Sequence, residues 1–209
     1  MSVRNVIFDF GGVLLRWKPQ EIVASIYSDP EFQILVQRQV FQHPDWLELD
    51  RGSLDEALAV SRFAERVGRS QSEMKELMDA ARASLHPLED SIALLRELHA
   101  RNVPLYGLSN ISAPNFAYLR GRYDHWNLFR GIVISGEIGL IKPDPEIFAH
   151  ICAKYALRPA ETVFIDDHAP NIEAARRIGF AGILFENAQQ CRSELRALIS
   201  DPARDPSPP

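Results

Sequence analysis

Near its N-terminus the chain reads Asn5-Val6-Ile7-Phe8-Asp9-Phe10-Gly11-Gly12-Val13-Leu14. The apolar run before Asp9 and the Gly-Gly pair after it predict a short buried strand that ends in a tight loop. In open α/β sheets, ligands bind at the carboxyl ends of the strands, which is where this aspartate stands. A single aspartate after a strand is equally typical of a turn or a helix cap. The other strand ends therefore decide whether Asp9 belongs to a functional site.

The size and charge of the chain exclude several classes of protein. With 209 residues, 46% of them hydrophobic, it is long enough for one domain with a modest insertion. Its net charge of −5 argues against a general nucleic-acid binder, which we expect to be basic. No apolar run approaches the ~20 residues of a membrane span, and the N-terminus lacks a secretory pattern. Cys152 and Cys191 have no metal-ligand spacing. We predict a cytoplasmic protein, and the pattern favours no particular oligomeric state.

Residues 17–87 carry a helical pattern without a convincing β run. The predicted helices of this insertion span residues 19–28, 30–42, 53–68 and 70–85. Ser53 and Glu56 have the spacing of a capping box, which predicts where the third of these helices begins. An insertion placed directly after the first strand lies over the carboxyl ends of the sheet, where it can act as a lid.

From Pro87 onward, strands and helices alternate. We predict strands at 104–108, 131–134, 162–165 and 181–185, and helices at 88–101, 113–122, 144–156, 170–178 and 188–199. This alternation indicates a parallel sheet with right-handed crossovers. The predicted fold class is α/β, a Rossmann-like parallel sheet flanked by helices, with a small all-helical cap inserted after strand one. The predicted organisation is a catalytic core of residues 1–16 and 88–200, a cap of residues 17–87, and a disordered Pro-rich tail of residues 201–209.

Polar side chains stand at several of the predicted strand ends. Ser109 and Asn110 follow the second strand, Asp166 and Asp167 follow the fourth, and Lys142 precedes a helix between them. Each has an ordinary alternative role as a helix cap, a turn former or a surface lysine. Because the strands are parallel, all of these positions and Asp9 reach the same edge of the sheet, which favours a functional site.

The chemistry of these residue types is complementary. Three carboxylates at one edge repel one another and favour a divalent, oxygen-preferring cation, which predicts Mg²⁺. The Ser109 hydroxyl, the backbone N–H groups of Gly11 and Gly12, and the Lys142 ammonium are donors suited to phosphate oxygens. A carboxylate such as Asp9 can act as a nucleophile at phosphorus once the cation and the lysine neutralise charge on the phosphoryl group.

This set of motifs resembles the haloacid dehalogenase-like hydrolase superfamily, in the branch with a helical cap after strand one. The matching motifs are Phe8-Asp9-Phe10-Gly11-Gly12-Val13, Leu108-Ser109-Asn110, Lys142-Pro143-Asp144-Pro145-Glu146-Ile147-Phe148, and Phe164-Ile165-Asp166-Asp167 with Asn171 after it. The stretch Glu48-Leu49-Asp50-Arg51-Gly52 is also similar to bacterial sugar phosphatases such as the α-glucose-1-phosphate phosphatases.

The resemblance implies a set of metal ligands. Asp9 would be both the nucleophile and a ligand of Mg²⁺, and the Gly11 carbonyl would supply a backbone ligand. Asp166 and Asp167 would hold the ion directly or through water, with Asp167 favoured for direct contact. Asn171 would support the site from behind the ligands.

The resemblance also implies how substrate binds. Ser109 and the backbone N–H of Asn110 would bind phosphoryl oxygens, and Lys142 would keep Asp9 ionised. Arg51 would reach a sugar hydroxyl or a second anion, unless it is a solvated residue at a helix start. The implied activity is Mg²⁺-dependent hydrolysis of a small phosphorylated metabolite, with sugar phosphates favoured, through an aspartyl-phosphate.

One position departs from the family pattern. Most phosphatases of the superfamily carry a second aspartate two residues after the nucleophile, as the acid and base of the reaction, and this chain has Gly11 there. A substrate with a good leaving group would need no such acid, and the sugar-1-phosphate relatives also lack it. Alternatively, the acid comes from His168 or from one of four side chains predicted in a cap loop: His43, Asp45, Glu48 and Asp50.

Two other functions remain open. A metal-independent 2-haloacid dehalogenase would need no acid, because halide leaves without a proton. The adjacent Asp166 and Asp167 argue against it, since they would repel a substrate carboxylate. A non-catalytic phosphometabolite-binding module would be expected to lose Asp9 or Lys142, and both are present.

Overall fold

Five parallel strands form a single sheet in the computed structural model, which describes residues 3–199. The strands are Asn5–Phe8 (β1), Leu105–Ser109 (β2), Gly131–Ile134 (β3), Thr162–Asp166 (β4) and Ala181–Leu184 (β5). Their order across the sheet is β3-β2-β1-β4-β5. The central strand is β1, in which Val6 pairs with Leu105 on one side and Val163 on the other. The predicted parallel sheet is confirmed, and the tail predicted at 201–209 lies outside the described residues.

Eleven α-helices are assigned within residues 3–199. Those of the cap are Pro19–Ile26 (α1), Pro30–Val36 (α2), Pro44–Arg51 (α3), Glu56–Val67 (α4) and Gln71–Ala83 (α5), with a π-helical turn at Gln37–Phe41. The others are Glu89–Ala100 (α6), Ala113–Arg122 (α7), Ser135–Ile138 (α8), Pro145–Tyr155 (α9), Ala169–Arg177 (α10) and Ala188–Leu198 (α11). Short 3-10 helices occupy His125–Leu128 and Pro159–Glu161. All of the helices between β1 and β2, except α6, belong to the cap.

The start of α4 differs from the predicted one. The Asp55 carboxylate accepts from the Leu58 backbone N–H at 2.8 Å and caps the helix, whereas the Ser53 hydroxyl donates to the Glu48 carbonyl. The capping box predicted at Ser53 is therefore wrong. A capping box is present at the next helix, where the Ser70 hydroxyl and the Glu73 carboxylate each accept the other's backbone N–H.

The stretch predicted as a cap loop near Trp46 is the helix α3. Pro44 occupies its first turn, where a missing N–H costs nothing, and the His43 ring caps it by accepting from the Asp45 N–H. The helix ends at Gly52, whose φ of 83° is a left-handed conformation that favours glycine. Asp45, Glu48 and Asp50 therefore lie on a helix, which sets the direction in which each side chain leaves the backbone.

The buried apolar side chains form three clusters. One lies on each face of the sheet, with Phe8 in the first and Ile7 in the second. The third belongs to the cap and includes the fully buried Phe63, Met74 and Leu77. The buried residues of this third cluster lie between Ile22 and Ala81, within the segment predicted as the cap, and the division of the chain into core and cap stays a prediction. Among residues 3–199, no helix is long and apolar enough to cross a bilayer.

Candidate active site

Polar side chains from four segments meet at the carboxyl edge of the sheet. Asp9 directly follows β1, and its backbone N–H donates to the Ile165 carbonyl at 2.9 Å. Ser109 ends β2 and Asp166 ends β4, and both are buried. Lys142 reaches the same place from the loop before α9. The structure thus brings together the residues that the sequence places at strand ends, because parallel strands finish at one edge.

Lys142 lies at the centre of this cluster and is buried. Its Nζ lies 2.8 Å from Asp9 Oδ1 and 2.7 Å from Asp166 Oδ2, and it donates to the Leu108 carbonyl at 3.1 Å. The Asn110 amide holds the backbone of Lys142, donating to its carbonyl at 2.9 Å and accepting from its N–H at 2.8 Å. The ammonium is therefore fixed between two carboxylates.

Asp166 is held by donors from α10 and its start. The Asn171 side chain lies 3.0 Å from both carboxylate oxygens, and the His168 backbone N–H donates to Oδ1 at 2.8 Å. With Lys142 on Oδ2, both oxygens of Asp166 already accept hydrogen bonds from protein. Asn171 therefore contacts Asp166, and the supporting role that the resemblance implies for it stays a prediction.

The pKa values of the cluster are set by burial and by the neighbouring charges. Removal from water raises the pKa of Asp9 above its ordinary value, while Lys142 opposes that shift. Burial alone would lower the pKa of Lys142, yet Asp9 and Asp166 outweigh it and the pKa is raised. Burial and the charge of Asp166 also raise the pKa of Asp167. Three carboxyl groups share one ammonium, so the cluster carries an excess of negative charge when all three are ionised.

The three aspartates could hold a metal ion. Each of Asp9, Asp166 and Asp167 offers an oxygen, and these oxygens lie within 4.8 Å of one another. Gly12, with φ 78°, brings the loop after β1 against them, and a Cβ built there would lie 2.0 Å from Asp167 Oδ2. Only glycine lets the backbone pass so close. An all-oxygen donor set with excess negative charge suits a hard divalent cation.

A cavity of about 450 Å³ lies between the strand ends and the cap. Asp9, Ser109, Asn110, Asp166 and Asp167 line its polar side. Most of the rest is apolar or aromatic: Leu15, Trp17, Phe41, Trp46, Leu47, Met78, Ala81, Leu85 and Ile111. Trp46 both lines this cavity and packs on Phe41 and Phe63 in the apolar cluster of the cap.

Arg51 lies apart from this cavity in the described part of the chain. Its guanidinium pairs with Glu48 and Asp144, each at 3.5 Å, the latter in the loop before α9. It therefore ties the cap to the core, and its predicted contact with substrate stays a prediction.

Two residues at the site, Arg82 and Ser135, could not be identified as site residues from the sequence pattern. Arg82 lines the cavity from α5, donating to Asn115 Oδ1 at 2.6 Å and pairing with the Glu56 carboxylate. Ser135 is buried between β3 and the cap. An arginine and a serine on helices are common surface residues, and only tertiary contacts distinguish these two.

Comparison with known proteins gives one family. Its sequence model, described as haloacid dehalogenase-like hydrolase, matches residues 3–179. The sesquiterpene phosphatase astK of Aspergillus oryzae is 32% identical, over 95% of this chain and 97% of its own. The D-ribitol-5-phosphate phosphatase of Bacteroides thetaiotaomicron is 24% identical, over 95% of this chain and 99% of its own.

Solved structures show the same fold. A family enzyme from Bacteroides thetaiotaomicron superposes with a TM-score of 0.71 at 22% identity, covering 89% of this chain and 95% of its own. An L-2-haloacid dehalogenase from Xanthobacter autotrophicus superposes with a TM-score of 0.66 at 18% identity, covering 93% of this chain and 83% of its own. The family match spans the cap segment, the strands that lead to the aspartates and the loop that carries Lys142, and from it we conclude that the chain belongs to the haloacid dehalogenase-like hydrolases.

Proposed function

We propose that this hydrolase is a Mg²⁺-dependent phosphatase in which Asp9 is the nucleophile. The observation that carries the proposal is the pairing of Asp9 with the buried Lys142 at 2.8 Å beside Asp166 and Asp167, at the floor of a cavity. A carboxylate next to a fixed ammonium remains able to attack, and the same ammonium attracts an incoming phosphoryl group.

In this proposal each residue has a defined task. Asp9 attacks phosphorus, while Ser109 and the backbone N–H of Asn110 hold the phosphoryl oxygens. Bound Mg²⁺ would supply a Lewis acid that neutralises the charge on the phosphoryl group. Because both oxygens of Asp166 already accept protein hydrogen bonds, Asp9 and Asp167 are the carboxylates expected to touch the ion directly. The Gly11 carbonyl would complete the protein ligands.

For the substrate we propose a phosphate monoester with an apolar organic part. A volume of about 450 Å³ is within the range of pockets for small ligands. Its aromatic and aliphatic lining would contact hydrocarbon better than sugar hydroxyls, which would lack hydrogen-bond partners there. The named substrate class of the sesquiterpene phosphatase fits such a lining. Sugar phosphates, favoured by the sequence, are the second candidate, supported by the D-ribitol-5-phosphate phosphatase.

Halide release is less compatible with the cluster. A 2-haloacid carries its own carboxylate, which Asp166 and Asp167 would repel beside Asp9. The likeness to the Xanthobacter autotrophicus enzyme concerns the fold, which is shared by both activities.

Phosphate release from a panel of monoesters tests the proposal. The panel pairs prenyl and other apolar monophosphates with sugar phosphates, each with Mg²⁺ and with EDTA, and adds 2-haloacids. We expect Mg²⁺-dependent release, fastest with apolar esters, and no turnover for Asp9→Asn. Near-native rates for Asp9→Asn would contradict the mechanism. A preference for sugar phosphates would overturn the substrate proposal and leave the phosphatase standing.

A further inference from the structure

Packing does not explain why the second aspartate of the family pattern is absent. A Cβ built on Gly11 would meet Trp17 Cβ at 3.7 Å, an ordinary contact, and the Gly11 backbone has no positive φ. The position could therefore carry an aspartate. An alkyl phosphate nevertheless needs a proton for its leaving oxygen, because an alkoxide is a poor leaving group. That proton has to come from another side chain at the cavity.

Four side chains of α3 and its N-terminal cap are candidates, and their contacts separate them. His43 caps the helix, Asp45 pairs with Arg66 and Arg62, and Glu48 pairs with Arg51. Asp50 lines the cavity that contains Asp9 and reaches it from the cap helix α3. Within residues 3–199 it is the carboxyl group that the cap contributes to this cavity.

Resting on the phosphatase proposed above, we propose that Asp50 is the general acid and general base of the reaction, in place of the residue absent at Gly11. Asp50 reaches the cavity from the cap helix α3, whereas Asp9 reaches it from the end of β1. Displacement at phosphorus places the attacking and leaving oxygens on opposite sides, so the proposal requires the leaving oxygen to face Asp50 while Asp9 attacks.

The structure holds Asp50 against the core at three points. The Ser135 hydroxyl donates to the Asp50 carbonyl at 2.6 Å and accepts from the Ile111 N–H at 2.9 Å. The next turn brings Gly52 against α8, where a Cβ built on it would lie 2.9 Å from the Gly136 carbonyl oxygen. The ion pair of Arg51 with Asp144 closes the same junction. The end of α3 is therefore docked on α8 and on the loop before α9, which positions the backbone of Asp50.

The surroundings of Asp50 favour the protonated form that an acid needs. Burial raises its pKa to about 8, and the charge of Asp9 adds to this, whereas the Ser112 backbone and the Trp46 side chain act in the opposite direction as donors. Near neutral pH the group therefore holds a proton, as tuned catalytic acids do.

The proton balance closes over two steps. As an Asp9 oxygen attacks phosphorus and the ester P–O bond breaks, Asp50 gives its proton to the leaving oxygen, and the alcohol departs. Asp50, now a carboxylate, takes a proton from water as the water oxygen attacks phosphorus. The bond from phosphorus to Asp9 breaks, inorganic phosphate leaves, and both aspartates regain their starting states.

The test compares Asp50→Asn with Glu48→Gln, a carboxyl-to-amide change on the same helix outside the cavity. Rates are measured with Mg²⁺ on a series from alkyl phosphates to nitrophenyl phosphates. For Asp50→Asn we expect a loss of about 10²–10⁴-fold on alkyl esters. With nitrophenyl phosphate we expect a burst of one nitrophenol per enzyme followed by slow turnover, because only the hydrolytic step then lacks its base. Glu48→Gln should retain the native rates and show no burst.

A rescue variant separates catalysis from folding. Gly11→Asp in the Asp50→Asn background should restore at least tenfold of the alkyl phosphatase rate and remove the burst. Equal rates for Asp50→Asn and Glu48→Gln on all esters would overturn the proposal, as would the burst appearing in His168→Gln and not in Asp50→Asn. Absence of phosphatase activity in the unmodified protein would instead contradict the proposed function, so the two failures are distinguishable.

Discussion

At the scale of single residues, Lys142 is the residue whose charge the buried site depends on. It is the ammonium shared by the buried carboxylates of Asp9 and Asp166. Breaking a buried ion pair by removing one partner costs about 3–5 kcal/mol, because the remaining charge stays buried without compensation. Here the removal would leave two carboxylates facing each other.

We predict that Lys142→Met lowers the free energy of unfolding by about 3–5 kcal/mol in EDTA, and by less in Mg²⁺, whose charge replaces part of the lost ammonium. Urea unfolding with and without Mg²⁺ measures both values. Lys75→Met is the control, because Lys75 forms an exposed pair with Asp79 within one helix and its removal should cost under about 0.5 kcal/mol. Equal losses for the two variants would contradict the role of Lys142.

At the scale of elements, the junction of α3 with α8 links the cap to the chemistry. Gly52 has φ 83° and a close approach to Gly136, and both features exclude a Cβ. Gly68, at the end of α4, has φ 66°, and a Cβ built on it would meet nothing within 4 Å. The two glycines therefore share a left-handed backbone conformation, but only Gly52 is packed closely against another element.

We predict that Gly68→Ala loses about 1–2 kcal/mol of stability from the left-handed backbone, and that Gly52→Ala loses more, because its Cβ would also lie too close to the Gly136 carbonyl oxygen. Only Gly52→Ala should also slow the hydrolysis of alkyl phosphates, since the alanine pushes α3 away from α8 and displaces Asp50. Thermal unfolding and initial rates on one alkyl ester distinguish these effects. If both variants slow catalysis equally, the junction does not position the acid.

Helix α3 shows the limit of what could be predicted from the sequence. The strands and most helices of the core are predictable to within one or two residues, because their apolar runs alternate regularly with turn residues. Helix α3 is not, because only Trp46 and Leu49 of its eight residues are buried, which is too few for an apolar stripe. The strand ends identify the carboxylates, whereas Asp50 becomes distinguishable only through its place in the cavity wall and the contact of its carbonyl with Ser135, far along the chain.

At the scale of the whole molecule, the site makes stability depend on pH. The folded state raises the pKa of Asp50 from 3.8 to about 8, and burial also raises those of Asp9 and Asp167. Between pH 3.8 and about pH 8, Asp50 therefore keeps a proton in the folded protein that it has lost in the unfolded chain. Stability is therefore greatest below pH 4 as far as Asp50 is concerned, and its contribution is lost as the pH rises to about 8.

We predict that the free energy of unfolding in EDTA falls between about pH 5 and pH 8, by up to about 1.4 kcal/mol per pH unit for each of the buried carboxyl groups of Asp50 and Asp9. Asp50→Asn should fall less steeply and should be at least as stable as the unmodified protein at pH 8. Urea unfolding at a series of pH values gives both slopes. Parallel slopes for the two proteins would show that Asp50 does not hold a proton in the folded state.

The central position of β1 also sets the order in which the molecule can be assembled during synthesis. This strand leaves the ribosome first, yet its partners Leu105 and Val163 are translated much later. Such distant pairings form slowly, whereas the apolar cluster of the cap lies entirely between Ile22 and Ala81. The cap can thus bury its apolar side chains while the chain is still being synthesised. The edge of the sheet that carries Asp9 and Asp166 can form only after the cap, once β4 has been translated.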